Sequence, residues 1–197
     1  MLVVLRPLAA MLLTLSLAMT VQAQEKSKAG AHGHEADLPQ KGICVLMPTE
    51  GNKAVGVLML AGNKDGVHVT GKISGLTPGK HGFHIHQFGD LSSKDGASAG
   101  GHYNPDGHMH GGLEDAERHA GDLGNVTANE DGVATVDVQA KGLKLHFVLG
   151  RSFVVHAKAD DLKSQPSGDA GGRVGVGVIG IAEVKAPAAT PAAKTKK

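Results

Sequence analysis

The sequence has no tryptophan, one tyrosine and one cysteine in 197 residues. A single cysteine excludes a framework of intrachain disulfides and a zinc site built from several thiolates. Aromatic residues make up only 3% of the chain, whereas glycine occurs 29 times, which predicts many turns and loops. The net charge of +1 argues against a nucleic-acid-binding protein, because such a protein carries a basic face. The hydrophobic content of 41% is sufficient for one folded domain with a core.

The near-zero net charge conceals an uneven distribution. Residues 43–184 contain 12 Lys and Arg against 16 Asp and Glu, which gives this part of the chain a charge of 12 − 16 = −4. Four lysines follow it, at positions 185, 194, 196 and 197. We therefore expect an acidic folded body with a basic tail.

The only long apolar run lies at the start of the chain. Arg6 precedes an apolar segment from Leu8 to Met19, and Val21-Gln22-Ala23 has the small residues that a signal peptidase prefers. We predict that residues 1–23 are a signal peptide and that the mature protein is periplasmic or secreted, with no membrane span after cleavage. An uncleaved membrane anchor is the alternative.

Two flanking segments lack any periodic pattern. Residues 24–42 are polar and include His32 and His34, and residues 185–197 are rich in Ala, Pro and Lys. Both compositions are typical of disordered segments. The histidine pair either captures metal or belongs to a solvated linker, and the second interpretation is favoured.

Residues 43–184 have the pattern of short strands. Val67, Val69 and Ile73 alternate with polar residues at a period of two. Further runs rich in β-branched residues occupy positions 54–60, 83–88, 133–138, 153–156 and 174–182, and turn sequences such as Thr77-Pro78-Gly79 separate several of them. These features predict an all-β antiparallel sandwich or barrel. Two long connections, residues 89–121 and 158–172, interrupt the strands and are the expected functional loops.

Half of the 12 histidines fall between positions 84 and 119. His84 and His86 lie at i and i+2 of a predicted strand, so their side chains should project from the same face. His102, His110 and His119 follow, then Asp122, and His156 ends a later strand. Several neutral imidazoles with one carboxylate suit zinc or copper, whereas magnesium and calcium prefer oxygen ligands.

Several segments together resemble the copper–zinc superoxide dismutase family, in the same order and at compatible spacings. They are residues 82–90, 98–105, 117–125, 154–156, 168–173 and 177–181. The resemblance extends over about residues 43–184. It implies a Greek-key β-sandwich or barrel of about eight strands with two long functional loops, and an enzyme that converts superoxide to oxygen and hydrogen peroxide.

The resemblance also implies a ligand for each position of two metal sites. The copper ligands would be His84, His86, His102 and His156. The zinc ligands would be His102, His110, His119 and Asp122, so that His102 bridges both metals. Asp160 would be the carboxylate that hydrogen-bonds one copper histidine and one zinc histidine.

Two residues are expected to act in catalysis. By resemblance, Arg173 lies beside copper and attracts the superoxide anion, with Lys158 and Lys163 as weaker contributors on the same loop. His102 would release copper and take up a proton on reduction.

Other histidines need to be weighed against this set. His108 could replace His110 as a ligand, but Gly111 and Gly112 follow His110 as the family pattern requires. His68, His81 and His146 fall on no ligand position and are expected to be surface or structural residues.

The chain departs from the family at the usual disulfide. The corresponding positions hold Gly96 and Val176, and the remaining Cys44 lies in the first strand, where an inert buried thiol is expected. An extracytoplasmic copper carrier or buffer on the same fold is the alternative function, and a plain adhesion sandwich would leave the ligand set unexplained. Family members often form homodimers, so a homodimer is expected here as well.

Overall fold

The computed structural model describes residues 38–183. The predicted signal peptide, residues 24–37 of the predicted linker and the predicted tail lie outside the described residues. The described part forms eight β-strands. They are β1 Lys41–Pro48, β2 Val55–Asn63, β3 Gly66–Ser74, β4 Gly79–His86, β5 Asp122–Ala128, β6 Ala134–Lys141, β7 Ser152–His156 and β8 Arg173–Ile181.

The strands close into one antiparallel barrel in the order β1-β2-β3-β6-β5-β4-β7-β8. The pairs β3–β6 and β4–β7 join strands that are not consecutive in the chain, which is the Greek-key feature. The prediction of an all-β Greek-key barrel of eight strands is confirmed.

The polar-apolar alternation of the sequence reappears as burial. In β3, Val67, Val69 and Ile73 are buried, whereas the intervening Lys72 is exposed. Inside the barrel, the rings of Phe83 from β4 and Phe153 from β7 stack with centroids 4.9 Å apart. These large side chains join the two strands that carry three of the seven candidate ligand residues.

Three features differ from the expected elements. Strand β1 begins at Lys41, two residues before the expected domain start, because Lys41 and Gly42 pair with β2. Strand β5 was not among the predicted strands. A four-residue helix, α1 (Leu145–Val148), lies between β6 and β7, although no helix was expected there.

Two long connections follow β4 and β7. Loop A comprises residues 87–121, between β4 and β5, and contains a single 3₁₀ turn at Ala97–Ala99. Loop B comprises residues 157–172, between β7 and β8. Among residues 38–183, no helix has the length and apolar character needed to cross a membrane.

Candidate metal centre

Strands β4 and β7 present histidines on the face that points away from the barrel core. In β4, Phe83 and Ile85 fill the core, so the alternation of the strand directs His84 and His86 to the opposite face. In the neighbouring β7, His156 lies at the end of the strand. All three imidazoles are nevertheless buried, because Loop A and Loop B cover this face.

The structure brings the seven predicted ligand residues into two adjoining groups. The ligand atoms within each group lie within 4.8 Å of one another. The first group contains His84, His86, His102 and His156, and the second contains His102, His110, His119 and Asp122. His102, which forms an isolated bridge with His86, belongs to both groups.

In the first group, hydrogen bonds determine which ring nitrogen carries the proton. The backbone oxygens of Gly100 and Gly171 lie 2.9 Å and 3.1 Å from Nδ1 of His86 and His156. A carbonyl oxygen can only accept, so each Nδ1 donates and each Nε2 carries a lone pair. These two Nε2 atoms face each other at 3.4 Å. Two lone pairs at this distance repel each other unless a cation lies between them.

Unpartnered nitrogens complete the first group. His84 Nδ1 and His102 Nε2 are buried and have no hydrogen-bond partner among the described residues. A buried polar atom without a partner is costly, and a metal ion would satisfy both. The residues of the first group therefore fit a metal that prefers imidazole.

The second group surrounds the carboxylate of Asp122. Its Oδ1 lies 2.7 Å from His102 Nδ1 and 3.2 Å from His119 Nδ1, and its Oδ2 lies 3.1 Å from His110 Nδ1 without hydrogen-bond geometry. The backbone N–H groups of Gly111 and His119 donate to Oδ2 and hold the carboxylate in place. Three imidazoles and one carboxylate are a ligand set that fits a closed, four-coordinate zinc site.

Asp160 connects the two groups. Its Oδ2 accepts from His84 Nε2 at 2.8 Å, and its Oδ1 accepts from His110 Nε2 at 2.9 Å. Both rings are thereby held with Nδ1 directed toward their group, as carboxylates commonly do for metal-binding histidines. Gly168 lies against this carboxylate with φ +68°, and a Cβ at this position would collide with Asp160.

Burial keeps three rings of the first group uncharged, those of His84, His86 and His156. It is the main cause that lowers the pKa of His84 to about 4 and that of His156 to about 3, and it holds the pKa of His86 well below its usual value. These rings are therefore neutral at pH 7, as metal ligands must be. Burial likewise lowers the pKa of His119.

The pKa of His110 shifts in the opposite direction. Burial acts to lower the pKa of His110, but contacts with the carboxylates of Asp122 and Asp160 outweigh it and raise the pKa to about 9. The two carboxyl groups have pKa values below their usual range, because histidine hydrogen bonds outweigh the upward effect of burial. A metal ion in the second group would replace the proton of His110.

Arg173 lies at the start of β8 and reaches back to Loop A. Its guanidinium donates to the backbone oxygens of Gly96 and Gly100, the latter at 2.6 Å. Gly100 O is the acceptor that also holds His86 Nδ1. Burial and the neighbouring histidines are the larger causes that lower the pKa of His86 and His156, and the positive charge of Arg173 lowers it further. The positive charge is therefore fixed close to the first group.

The two lysines of Loop B occupy different surroundings. Lys158 is exposed and lies beside Gly171, whose carbonyl accepts from His156. Lys163 is exposed and lines a separate groove with Leu162 and Lys80.

The remaining histidines considered in the sequence lie outside the two groups. His108 Nδ1 faces the backbone oxygen of Arg118 at 3.3 Å. His68 contacts Asp137 on the exposed side of the barrel. His146 packs beside Phe147. His81 is buried, and its two ring nitrogens contact the backbone oxygens of His156 and Thr77.

Two amide side chains that the sequence reasoning missed hold the site together. Gln165 of Loop B accepts from the backbone N–H of His110 at 2.8 Å and donates to its carbonyl at 2.9 Å. Asn125 of β5 makes the same pair of bonds to the backbone of Asp160, at 2.8 Å and 2.9 Å. Each amide matches one donor and one acceptor of a loop residue far away in the sequence.

No disulfide can form within a chain that has one cysteine, and Cys44 is buried. At the corresponding positions, Gly96 O accepts from Arg173, and Val176 packs with Ala99 and Val154 in a small apolar cluster. Loop A is therefore attached to β8 by hydrogen bonds and apolar contacts.

The sequence was also compared with models of known families. The model of the copper/zinc superoxide dismutase (SODC) family matches residues 54–179, which is more than half of the 197-residue chain. The match extends from β2 to β8 and includes every member of both ligand groups.

Proposed function

The chain belongs to the copper/zinc superoxide dismutase family, and we propose that it catalyses the disproportionation of superoxide at the two ligand groups described above. In this reaction two superoxide anions and two protons give one molecule of oxygen and one of hydrogen peroxide. The observation that carries the proposal is the pair of buried groups that share His102. A copper carrier has no need for a second, closed site.

We assign copper to the four histidines and zinc to the group with the carboxylate. The first assignment rests on His84, His86, His102 and His156 offering nitrogen only, a set that suits copper. The second rests on His102, His110, His119 and Asp122 together offering three imidazoles and one carboxylate, the four ligands that a closed zinc site needs. Asp160 keeps His84 and His110 in the tautomer that both sites require.

The chain's own residues would supply attraction, orientation and a proton. Copper, when bound, would supply the one-electron oxidation and reduction, while zinc would hold His102 from its other side. Arg173 would attract the superoxide anion into the acidic body, an electrostatic effect for which superoxide dismutase is itself a standard example. His102 Nε2 can hold a proton while His102 Nδ1 remains directed toward Asp122.

A turnover measurement distinguishes the enzyme from a carrier. The mature protein is loaded with both metals, and superoxide decay is followed by pulse radiolysis against the metal-free protein. The proposal expects metal-dependent decay that is first order in enzyme over many turnovers. Tight copper binding with no more than one superoxide consumed per copper would instead support the carrier.

We also propose that the protein works outside the cytoplasm, in the periplasm or after secretion. The apolar segment of residues 8–19 and the Val21-Gln22-Ala23 site support this location. Mass spectrometry of the protein recovered from expressing cells should give an N-terminus at Gln24. Retention of residues 1–23 would indicate an anchor instead.

We propose a homodimer in which a second copy covers the outer face of β1, β2 and β8. Val45, Val57 and Val178 are 53%, 51% and 38% exposed, and Val45 and Val57 are paired across β1 and β2. An apolar face that crosses three adjacent strands is typical of an interface. Val45→Glu should convert a dimer into a monomer in sedimentation, whereas a wild-type monomer would exclude this assembly.

A further inference from the structure

A groove of about 500 Å³ lies on the protein surface between Loop A and the connection from β6 to β7. Its walls are largely apolar and include Tyr103, Pro105, Leu143 and Phe147. A concave site of this size with apolar walls and a few polar groups is typical of a small-molecule site.

The groove concentrates positive charge on an acidic body. Arg118, Lys141 and Lys144 line it, and Arg151 lies over the ring of Tyr103 at 3.8 Å. Three of the 12 basic residues of positions 43–184 thus line one groove, although this part of the chain has a charge of −4. Asp106 is the carboxylate that also lines the groove, and Glu114 pairs with Lys141 at 2.6 Å. The remaining charge of the lining is positive.

Arg118 gives the groove a specific donor. Its Nε is buried and has no hydrogen-bond partner among residues 38–183. No hydrogen bond or salt bridge joins the Arg118 side chain to any of these residues, so its terminal N–H groups are free to bind an anion in the groove. A guanidinium is also the side chain best suited to a carboxylate or phosphate, because its donors are arranged in a planar fork.

We propose that this groove binds a small amphipathic organic anion, with its acidic group on Arg118 and its apolar body between Tyr103, Leu143 and Phe147. Lys144 adds positive potential to the lining. A neutral apolar molecule would fill the same space but would leave the guanidinium of Arg118 without a counter-ion. The site therefore discriminates by charge.

The test uses a matched set of naphthalene probes with the metal-loaded protein, whose copper is kept reduced. 2-Naphthoate, 2-naphthylmethanol and 2-naphthylmethylamine differ in charge on the same ring system. Binding is followed by amide chemical shifts in two-dimensional NMR. We expect 2-naphthoate to shift the amides of Tyr103, Arg118, Leu143 and Phe147 in a saturable manner, and the neutral and cationic probes to bind at least about tenfold more weakly.

Variants show whether the groove itself is responsible. Arg118→Gln should weaken 2-naphthoate binding about tenfold, whereas the exposed control Lys94→Gln should leave it unchanged. Ala116→Phe keeps every charge and fills the groove, so it should also abolish binding, and it decides the question if Arg118→Gln does not fold.

Three results would overturn the proposal. One is equal binding of the alcohol and the carboxylate. Another is the absence of saturable shifts at millimolar 2-naphthoate, or shifts confined to the outer face of β1, β2 and β8. The last is wild-type affinity in a folded Ala116→Phe variant.

Discussion

Gln165→Ala should weaken the closure of the metal centre, although Gln165 is not one of the proposed ligands. Its side-chain amide forms two hydrogen bonds with the backbone of His110, at 2.8 Å and 2.9 Å, and one with the carbonyl of Lys163 at 3.1 Å. His110 is buried, so both of its backbone groups would be left without these partners in the variant. The substitution therefore removes two hydrogen bonds between Loop A and Loop B next to the second ligand group.

The expected magnitude follows from the two bonds to His110. A protein hydrogen bond contributes about 0.5–1.5 kcal/mol to stability, so the pair contributes about 1–3 kcal/mol. The free energy of unfolding of the metal-loaded protein should fall by this amount. If the loops open locally to release zinc, the open state becomes about 5–150 times more populated, and zinc loss to a chelator should accelerate correspondingly.

Two assays and one matched variant test this reasoning. Urea denaturation gives the free energy of unfolding, and a colorimetric chelator gives the rate of zinc release. Gln139→Ala is the control, because among residues 38–183 the Gln139 side chain hydrogen-bonds only the exposed side chain of Asn63. If Gln165→Ala matched the control within about 0.5 kcal/mol and within twofold in rate, the amide of Gln165 would not hold the two loops together.

Three further predictions follow from the same structure. Arg173→Glu should lower the second-order rate constant for superoxide at least about tenfold, and Arg173→Lys should lower it much less. Added salt should slow the wild type more than Arg173→Glu, and an equal salt response in both would show that Arg173 does not steer the anion. Burial raises the pKa of the Cys44 thiol to about 12. At pH 8 an aromatic disulfide reagent should therefore react with Cys44 at least about a thousandfold more slowly in the folded than in the unfolded protein, and comparable rates would contradict that burial. A phosphine reductant should leave the melting temperature unchanged, whereas a zinc chelator should lower the melting temperature and make Loop A the first segment that a protease cleaves. Equal cleavage of Loop A with and without metal would show that zinc does not hold the loop.

Most of the barrel could be predicted from the sequence, because the alternation of apolar and polar residues along a strand is a local pattern. Val67, Val69 and Ile73 alternate with polar residues and are buried in β3 as expected. Strand β5 was missed because Gly124, at φ +74°, interrupts its pattern, and because its first residue, Asp122, is a buried carboxylate that faces the site. A short strand with a glycine bend and a polar start has no local β signature.

The site was accessible only in part. The positions of the histidines could be read from spacing and resemblance, whereas the contacts that orient them span long stretches of chain. Gln165 meets His110 55 residues away, and Asn125 meets Asp160 35 residues away. An isolated Gln or Asn in a loop sequence gives no indication of a distant backbone partner. The two hydrogen bonds from Arg173 to the backbone oxygens of Gly96 and Gly100 likewise join residues far apart in the sequence.

The most direct test of the account is the metal content of His102→Ala compared with His108→Ala. Both residues lie in Loop A, but only His102 belongs to the two ligand groups. Wild type and His108→Ala should each hold one copper and one zinc per chain. His102→Ala should bind both metals more weakly and lose superoxide turnover, because one side chain serves both groups. If His102→Ala retained both metals at wild-type affinity, the shared-ligand centre would be wrong.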